Sequence, residues 1–194
     1  MLDLVNTVTA RDGDPVDWLD TYPRVLEWAA FTGHFDESPL AELEHIDRAA
    51  PRAGTLALGR LRDLRETIHD VLRATIRNET APEKTLRSLD AHWRDAVALA
   101  RLTISDQRAC LELSVESSWL DYLKHELALR ALDLLQTFPR TRARVCAGTS
   151  CGWLFLDSSK GGQRRWCDMA TCGNAAKSKR HYERKRAGAQ ARPR

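Results

Sequence analysis

Apolar residues along this chain recur mostly at steps of three and four, and over one short stretch at every second position. In LALGRLRDLRETIHDVLRATI, Leu58, Leu61, Leu64, Ile68, Leu72 and Ile76 line one helical face and leave arginines and acids on the other. SPLAELEHIDRAA predicts a shorter helix, with Ser38 as N-cap, Pro39 in the first turn, and Leu40, Leu43 and Ile46 at helical spacing. Pro51 closes it. TAPEKTLRSLDAHW opens the next helix, where Thr80 and Glu83 have the spacing of a capping box. Further on, Trp119, Tyr122, Leu123, Leu127, Ala131 and Leu134 mark another helix, ended by Pro139.

Between these helices the period shortens. Apolar and polar residues alternate from Ala100 to Ile104 and again from Leu111 to Val115, with SDQR between the runs, which predicts a β-hairpin. Cys110 falls at the start of the second strand as a small structural residue. The opening LDLVNTV fits a short strand or a buried helix start equally well. WLDTYPRVLEWAAFTG predicts a turn and then a helix after Pro23, with Trp18, Tyr22, Trp28 and Phe31 expected in the core. The first 139 residues therefore read as a mainly α domain with a β-hairpin, an α+β unit.

The net charge of +3 conceals a division. From Arg140 to Arg194 there are 14 lysines and arginines against three acids, whereas the preceding 139 residues carry 16 bases and 24 acids. A basic C-terminal quarter on an acidic body points toward a nucleic-acid partner. No window approaches 18 apolar residues, so no membrane contact is expected. The start MLDLVNTVTARDGD lacks a basic n-region, which argues against secretion and for a cytoplasmic protein with reduced thiols.

Reduced thiols give the cysteines their meaning. Four of the five form two copies of one spacing, Cys146-x4-Cys151 and Cys167-x4-Cys172, each followed by glycine, Gly152 and Gly173. Two turn-borne pairs joined by a loop are what a tetrahedral zinc ion needs, and four thiolates leave no open position for catalysis. One structural zinc is expected. His181 is a weaker alternative ligand, since it lies on the following basic stretch. Trp153 and Phe155 are spaced for one face of a strand. So small a module depends on the metal for its fold.

Directly after the last cysteine, NAAKSKRHYERKR packs Lys177, Lys179, Arg180, Arg184, Lys185 and Arg186 into one helical stretch, and Arg164 and Arg165 precede the second pair. These eight cations suit phosphate contact, with strong salt dependence. A protein-docking module meeting an acidic partner, and an RNA-binding factor, are the rival readings. Only Tyr182 offers a stacking ring for RNA on that helix. AGAQARPR, 187–194, is expected to be disordered.

CAGTSCGWLFLDSSKGGQRRWCDMATCGNAAKSKRHYERKR closely resembles the CGNR-type zinc finger. Leu154, Phe155, Asp157, Ser158, Arg164, Arg165, Trp166, Cys167, Cys172, Gly173 and Asn174 match its pattern. The front of the chain is similar to the ABATE-type domain that precedes this finger, through LDLVNTV with Asn6 and Thr7 and LRDLRETI around Arg65. The resemblance implies domains at 1–139 and 140–186. It implies a bacterial, stress-induced transcription regulator whose zinc finger binds DNA, with no enzymatic activity. One departure stands out: the last signature position is Ala175 where the family has arginine. The chain also opens almost directly on LDLVNT, where relatives tend to carry a few more residues.

DNA-binding regulation is therefore the expected function, and a homodimer on two half-sites would compensate for one small finger. Asn6, Thr7 and Arg65 form a candidate site for a small-molecule effector; the alternative is that Asn6 and Thr7 satisfy backbone groups in the core. No Gly-rich phosphate loop or histidine cluster points to catalysis.

Overall fold

The long apolar stripe folds as the central helix of the molecule, α4 (Pro51–Ile76), in a computed structural model that describes residues 1–105 and 107–190, the side chains of 187–190 aside. Leu58, Leu61, Leu64, Ile68 and Leu72 are buried along its inner face. Pro51 takes its first position, where a missing N–H costs no helical bond. Against α4 pack α1 (Leu2–Val5), α2 (Tyr22–Thr32), α3 (Glu37–Ala49), α5 (Glu83–Leu99) and α7 (Tyr122–Thr137). LDLVNTV thus becomes one helical turn, followed by a short strand β1 (Val8–Thr9) paired antiparallel with β2 (Val16–Asp17).

Helix starts depart from the expected ones. α3 begins at Glu37 with Asp36 at the N-cap, so Ser38 is already helical. The box between Thr80 and Glu83 does not form, because Glu83 is itself the first helical residue after Pro82 and pairs with Arg87 one turn on. α2 does begin beside Pro23: Thr21 caps it by accepting from the Arg24 amide, and Gly33, at φ +64°, ends it.

The hairpin forms from β3 (Arg101–Ser105) and β4 (Arg108–Glu112), paired antiparallel with Ser105 opposite Arg108. Its second strand stops short of Val115, which opens the short helix α6 (Val115–Ser118) under a Ser114 cap. The alternation is turned outward: Leu102 and Ile104 are 69% and 71% exposed, whereas Thr103 and Cys110 are half-buried. The aromatic expectation holds only in part. Tyr22 is buried and its hydroxyl donates to the Leu120 carbonyl at 2.7 Å, but Trp18 is 64% and Phe31 92% exposed.

One hydrophobic cluster runs through both parts of the chain. Leu4, Val5, Leu61 and Leu127 share it with Phe138, Ala143 and Leu154. The last two belong to β5 (Ala143–Val145) and β6 (Leu154–Leu156), an antiparallel pair that starts the cysteine module. The finger is seated on the helical unit by apolar burial, and its outer helix α8 (Asn174–Gln190) follows the second cysteine pair. α8 extends to Gln190, into the 187–194 stretch expected as a disordered tail; residues 191–194 lie outside the described residues.

Candidate metal centre

Cys146 leaves β5 and Cys151 precedes β6, so the first pair sits in the turn of a hairpin. The second pair has the same spacing on a different backbone. Cys167 precedes, and Cys172 lies within, a tight helical turn (Met169–Gly173) that runs directly into α8. Asp168 starts that turn by accepting from the Thr171 amide and hydroxyl at 2.8 and 2.9 Å. The four Sγ atoms lie within 4.8 Å of one another, and Cys167 Sγ is 3.7 Å from both Cys151 and Cys172. Zinc–sulfur bonds of about 2.3 Å in a tetrahedron give sulfur–sulfur edges of about 3.8 Å. The four cysteines are positioned to bind one zinc ion. His181 lies on α8, exposed, and is not among them.

Backbone amides complete the cradle. Those of Gly148 and Cys167 both donate to Cys146 Sγ at 3.4 Å. Burial raises the Cys146 thiol, but these two amides, together with the Cys167 and Cys151 thiols, outweigh it and hold its pKa below the ordinary value. Burial pushes Cys151 up to about 12 and raises Cys167 as well. Gathering four thiolates here is unfavourable without a counter-charge, which a divalent cation supplies. The two trailing glycines serve different ends. Gly152 adopts φ +67°, and a Cβ there would meet Arg11 Cβ at 2.7 Å; at Gly173 a Cβ would meet Met169 Sδ at 2.8 Å.

The loop between the pairs is built around one carboxylate. Buried Asp157 accepts from the Ser159 amide and hydroxyl at 2.9 and 2.6 Å and from the Arg164 amide at 2.7 Å. Those bonds hold its pKa below the usual range. Arg164 turns inward: its guanidinium donates to the Cys167 carbonyl and lies 5.0 Å from the Phe155 ring centroid. It braces the second knuckle. Arg165 is exposed and lies over the Trp166 ring.

From Lys177 to Arg186 every residue of α8 is exposed. None of Lys177, Lys179, Arg180, Arg184, Lys185 and Arg186 forms an ion pair among the described residues. Helical spacing puts Lys177, Arg180 and Arg184 on one stripe and Lys179 and Arg186 on another. Ala175, at the departed signature position, is exposed in the first turn beside Asn174, whose amide donates back to the Ala170 carbonyl.

The geometry agrees with what comparison finds. Residues 142–185 match the CGNR zinc finger family, and residues 1–142 match ABATE, described as "Putative stress-induced transcription regulator". The chain belongs to the ABATE family. No curated protein matches it. Both families are of regulator and zinc-finger type rather than enzymes. No described helix is long and apolar enough to cross a membrane.

Within the ABATE segment, the side chains of Asn6, Thr7 and Arg65 are all bonded to protein groups. The Asn6 side chain acts as a strand neighbour for β6: its amide donates to the Leu154 carbonyl at 2.8 Å, and its oxygen accepts from the Leu154 amide at 3.0 Å. Thr7 Oγ1 donates to the Leu4 carbonyl and accepts from Arg65. Arg65 is 3% exposed and makes a two-bond contact with Asp17 at 2.7 and 2.8 Å, while its Nε donates to Glu66. Arg11 extends this chain of charges, since it pairs with Glu66 and donates to the Val5 carbonyl.

The same segment grips the finger beyond Asn6. The Arg11 and Asp12 amides donate to the Cys151 and Ser150 carbonyls at 3.1 and 3.2 Å, and the Trp153 indole donates to the Val8 carbonyl at 2.9 Å. By sequence Asn6 suits a core or a ligand and Trp153 a strand face, and neither role implies a clasp across the two units. The only available signal was two polar side chains interrupting an apolar run, and that pattern cannot name a partner 148 residues away.

Proposed function

We propose that this protein regulates transcription by binding DNA through α8, with zinc fixing the start of that helix. The observation that carries the reading is the ten-residue stretch 177–186, exposed throughout and holding six unpaired cations directly beyond the second knuckle. Free cations on a helix anchored at one end suit phosphate contact and insertion of the helix into a groove. Arg165 belongs to the same candidate set. Arg164, already committed to the Cys167 carbonyl, acts by holding the knuckle. RNA is less well supported, because the Tyr182 ring is covered by Arg186 at 5.9 Å from its centroid. A second copy would bring a second basic helix to a paired half-site, and the outward Leu102 and Ile104 of the hairpin offer such a pair an apolar contact. In this reading the protein works in the cytoplasm, responds to stress, and has no catalytic step.

Fluorescence anisotropy with labelled duplex DNA tests the reading, using zinc-loaded protein across a salt series. Engagement of six phosphates gives a slope of log K against log salt of about −5. Steep salt dependence that disappears on chelation supports the assignment. Absence of binding to random and genomic duplexes at low salt sinks it and leaves α8 as a docking helix for an acidic protein. Sedimentation of the DNA-bound species reports one copy or two.

A further inference from the structure

A groove of about 600 Å³ lies along the clasp, walled by Trp18, Trp28, Phe31 and the finger's own Trp153, with Asp3 beside them. Its volume falls in the range of small-molecule sites. The polar groups at its base are already engaged: Asn6 with Leu154, Thr7 with Leu4, and Thr32 with the Ala29 carbonyl. What faces an incoming ligand is therefore a set of ring surfaces and one carboxylate. Trp18 and Phe31 leave 64% and 92% of their surface in water, an arrangement with no packing benefit for the isolated chain.

Charge decides the kind of ligand. Asp3 is exposed and makes no ion pair or side-chain hydrogen bond among the described residues, and it is the only charged side chain of the groove. Next to the groove the chain already places a cation on a ring: the Arg130 guanidinium sits 4.6 Å from the centroid of Phe35, which packs against Trp28. The charge of Arg130 is met by Glu126 and the His34 carbonyl, and the Met1 ammonium lies near Asp3 without forming an ion pair with it. No such cation covers Trp18, Phe31 or Trp153 among the described residues. Ring faces with a nearby carboxylate favour an organic ammonium over a neutral or anionic molecule.

We propose that this aromatic groove binds a small organic cation, an ammonium with an apolar body, and that the bound ligand bridges the helical unit and the zinc finger. Trp153 stands two residues after Cys151 and is held by the Val8 carbonyl, so a ligand touching Trp153 and Phe31 spans both sides of the clasp. Occupancy stabilises the docked finger by mass action. The proposal goes beyond the DNA-binding reading and does not depend on it.

The test uses the zinc-loaded full chain without DNA. Phenyltrimethylammonium is titrated at constant ionic strength, followed by tryptophan emission and calorimetry, with tert-butylbenzene as its uncharged isostere. Saturable binding is expected, about ten-fold tighter for the cation than for the isostere. Phe31→Ala, which removes an exposed ring and spares the core, should weaken it about ten-fold, and Asp3→Asn about five-fold. The proposal is overturned if the cation produces no saturable change, if the isostere binds as well, or if Phe31→Ala binds as tightly as the parent.

Discussion

Where β6 meets the helical unit, residues 150–154 give their carbonyls, an amide and an indole to Asn6, Val8, Arg11 and Asp12. Along α8, on the other side of the same zinc module, side chains from Lys177 to Arg186 stand in water and their cations find no carboxylate among the described residues. The same residue type takes opposite roles on the two sides: Arg11 and Arg65 are buried and paired, whereas Arg180 and Arg184 are exposed and unpaired. Buried, paired arginine holds structure and is costly to disturb; exposed, unpaired arginine is available to a partner and contributes little to folding.

Removing the metal is the harshest way to break that contrast, because both sides hang from one cluster of thiolates. Structural zinc in small modules is worth on the order of 10 kcal/mol or more. Chelation is expected to unfold the finger, lose the α8 contribution to far-ultraviolet circular dichroism, and open the chain to protease beyond residue 142, with the α4-centred core retained. A chelated protein whose finger stayed protected would mean that the clasp alone holds the module.

Next in size is the ion-pair chain behind the clasp. Asp17→Ala leaves Arg65, 3% exposed, without its two-bond partner, and should cost about 3–5 kcal/mol in urea denaturation. The same groups set the acid limb. Burial raises Asp17 and Glu66, but hydrogen bonds and charges from Arg65 and Arg11 outweigh it and hold both carboxyls below their ordinary values. Their contribution is present above about pH 4 and is lost as pH falls through the lower folded values. Burial also lowers the pKa of His69 and His125. The unfolded chain therefore takes up those protons first, and stability already declines below about pH 6.5. A flat profile from neutrality to pH 4 would contradict the histidine assignment, and one that stayed flat below pH 4 would contradict the carboxylate assignment.

How much of this could be read from sequence follows the range of each interaction. Leu58 to Ile76 announced α4 because a helix face is written at steps of three and four, and the two cysteine pairs announced the metal because each is a local turn. The hairpin was legible as alternation, but its direction was not. Leu102 and Ile104 point to water because Thr103 and Cys110 take the inner side, which depends on what the neighbouring helices leave free. Arg164 reads like the other basic residues of its region, and only the position of the Cys167 carbonyl shows that its side chain also braces the second knuckle. Trp18 and Phe31 failed as core residues for the same reason: burial is decided by partners far along the chain.

A finer cut reaches the clasp itself. Asn6→Ala leaves the amide and carbonyl of fully buried Leu154 without partners, at about 1–3 kcal/mol for each orphaned group, offset where water enters. A loss of about 3 kcal/mol is expected by denaturation, with faster amide exchange confined to β6 and the first knuckle. Exchange that quickened evenly over the whole chain would show that Asn6 supports the core and not the seam.

The smallest effect on folding belongs to α8, and it sharpens the comparison most. Replacing Lys177, Arg180 and Arg184 together with alanine removes one stripe of exposed, unpaired cations. Exposed positions of this kind change stability by about 0.5 kcal/mol or less, and alanine favours the helix. The melting transition should therefore hold while DNA affinity falls, and the salt slope should shrink by about 0.9 for each phosphate contact removed. A triple variant that melted early would place this stripe with the buried arginines of the clasp. One that folded normally and bound DNA with an unchanged slope would move the DNA-facing role to the other stripe, Lys179 and Arg186, or to Arg165.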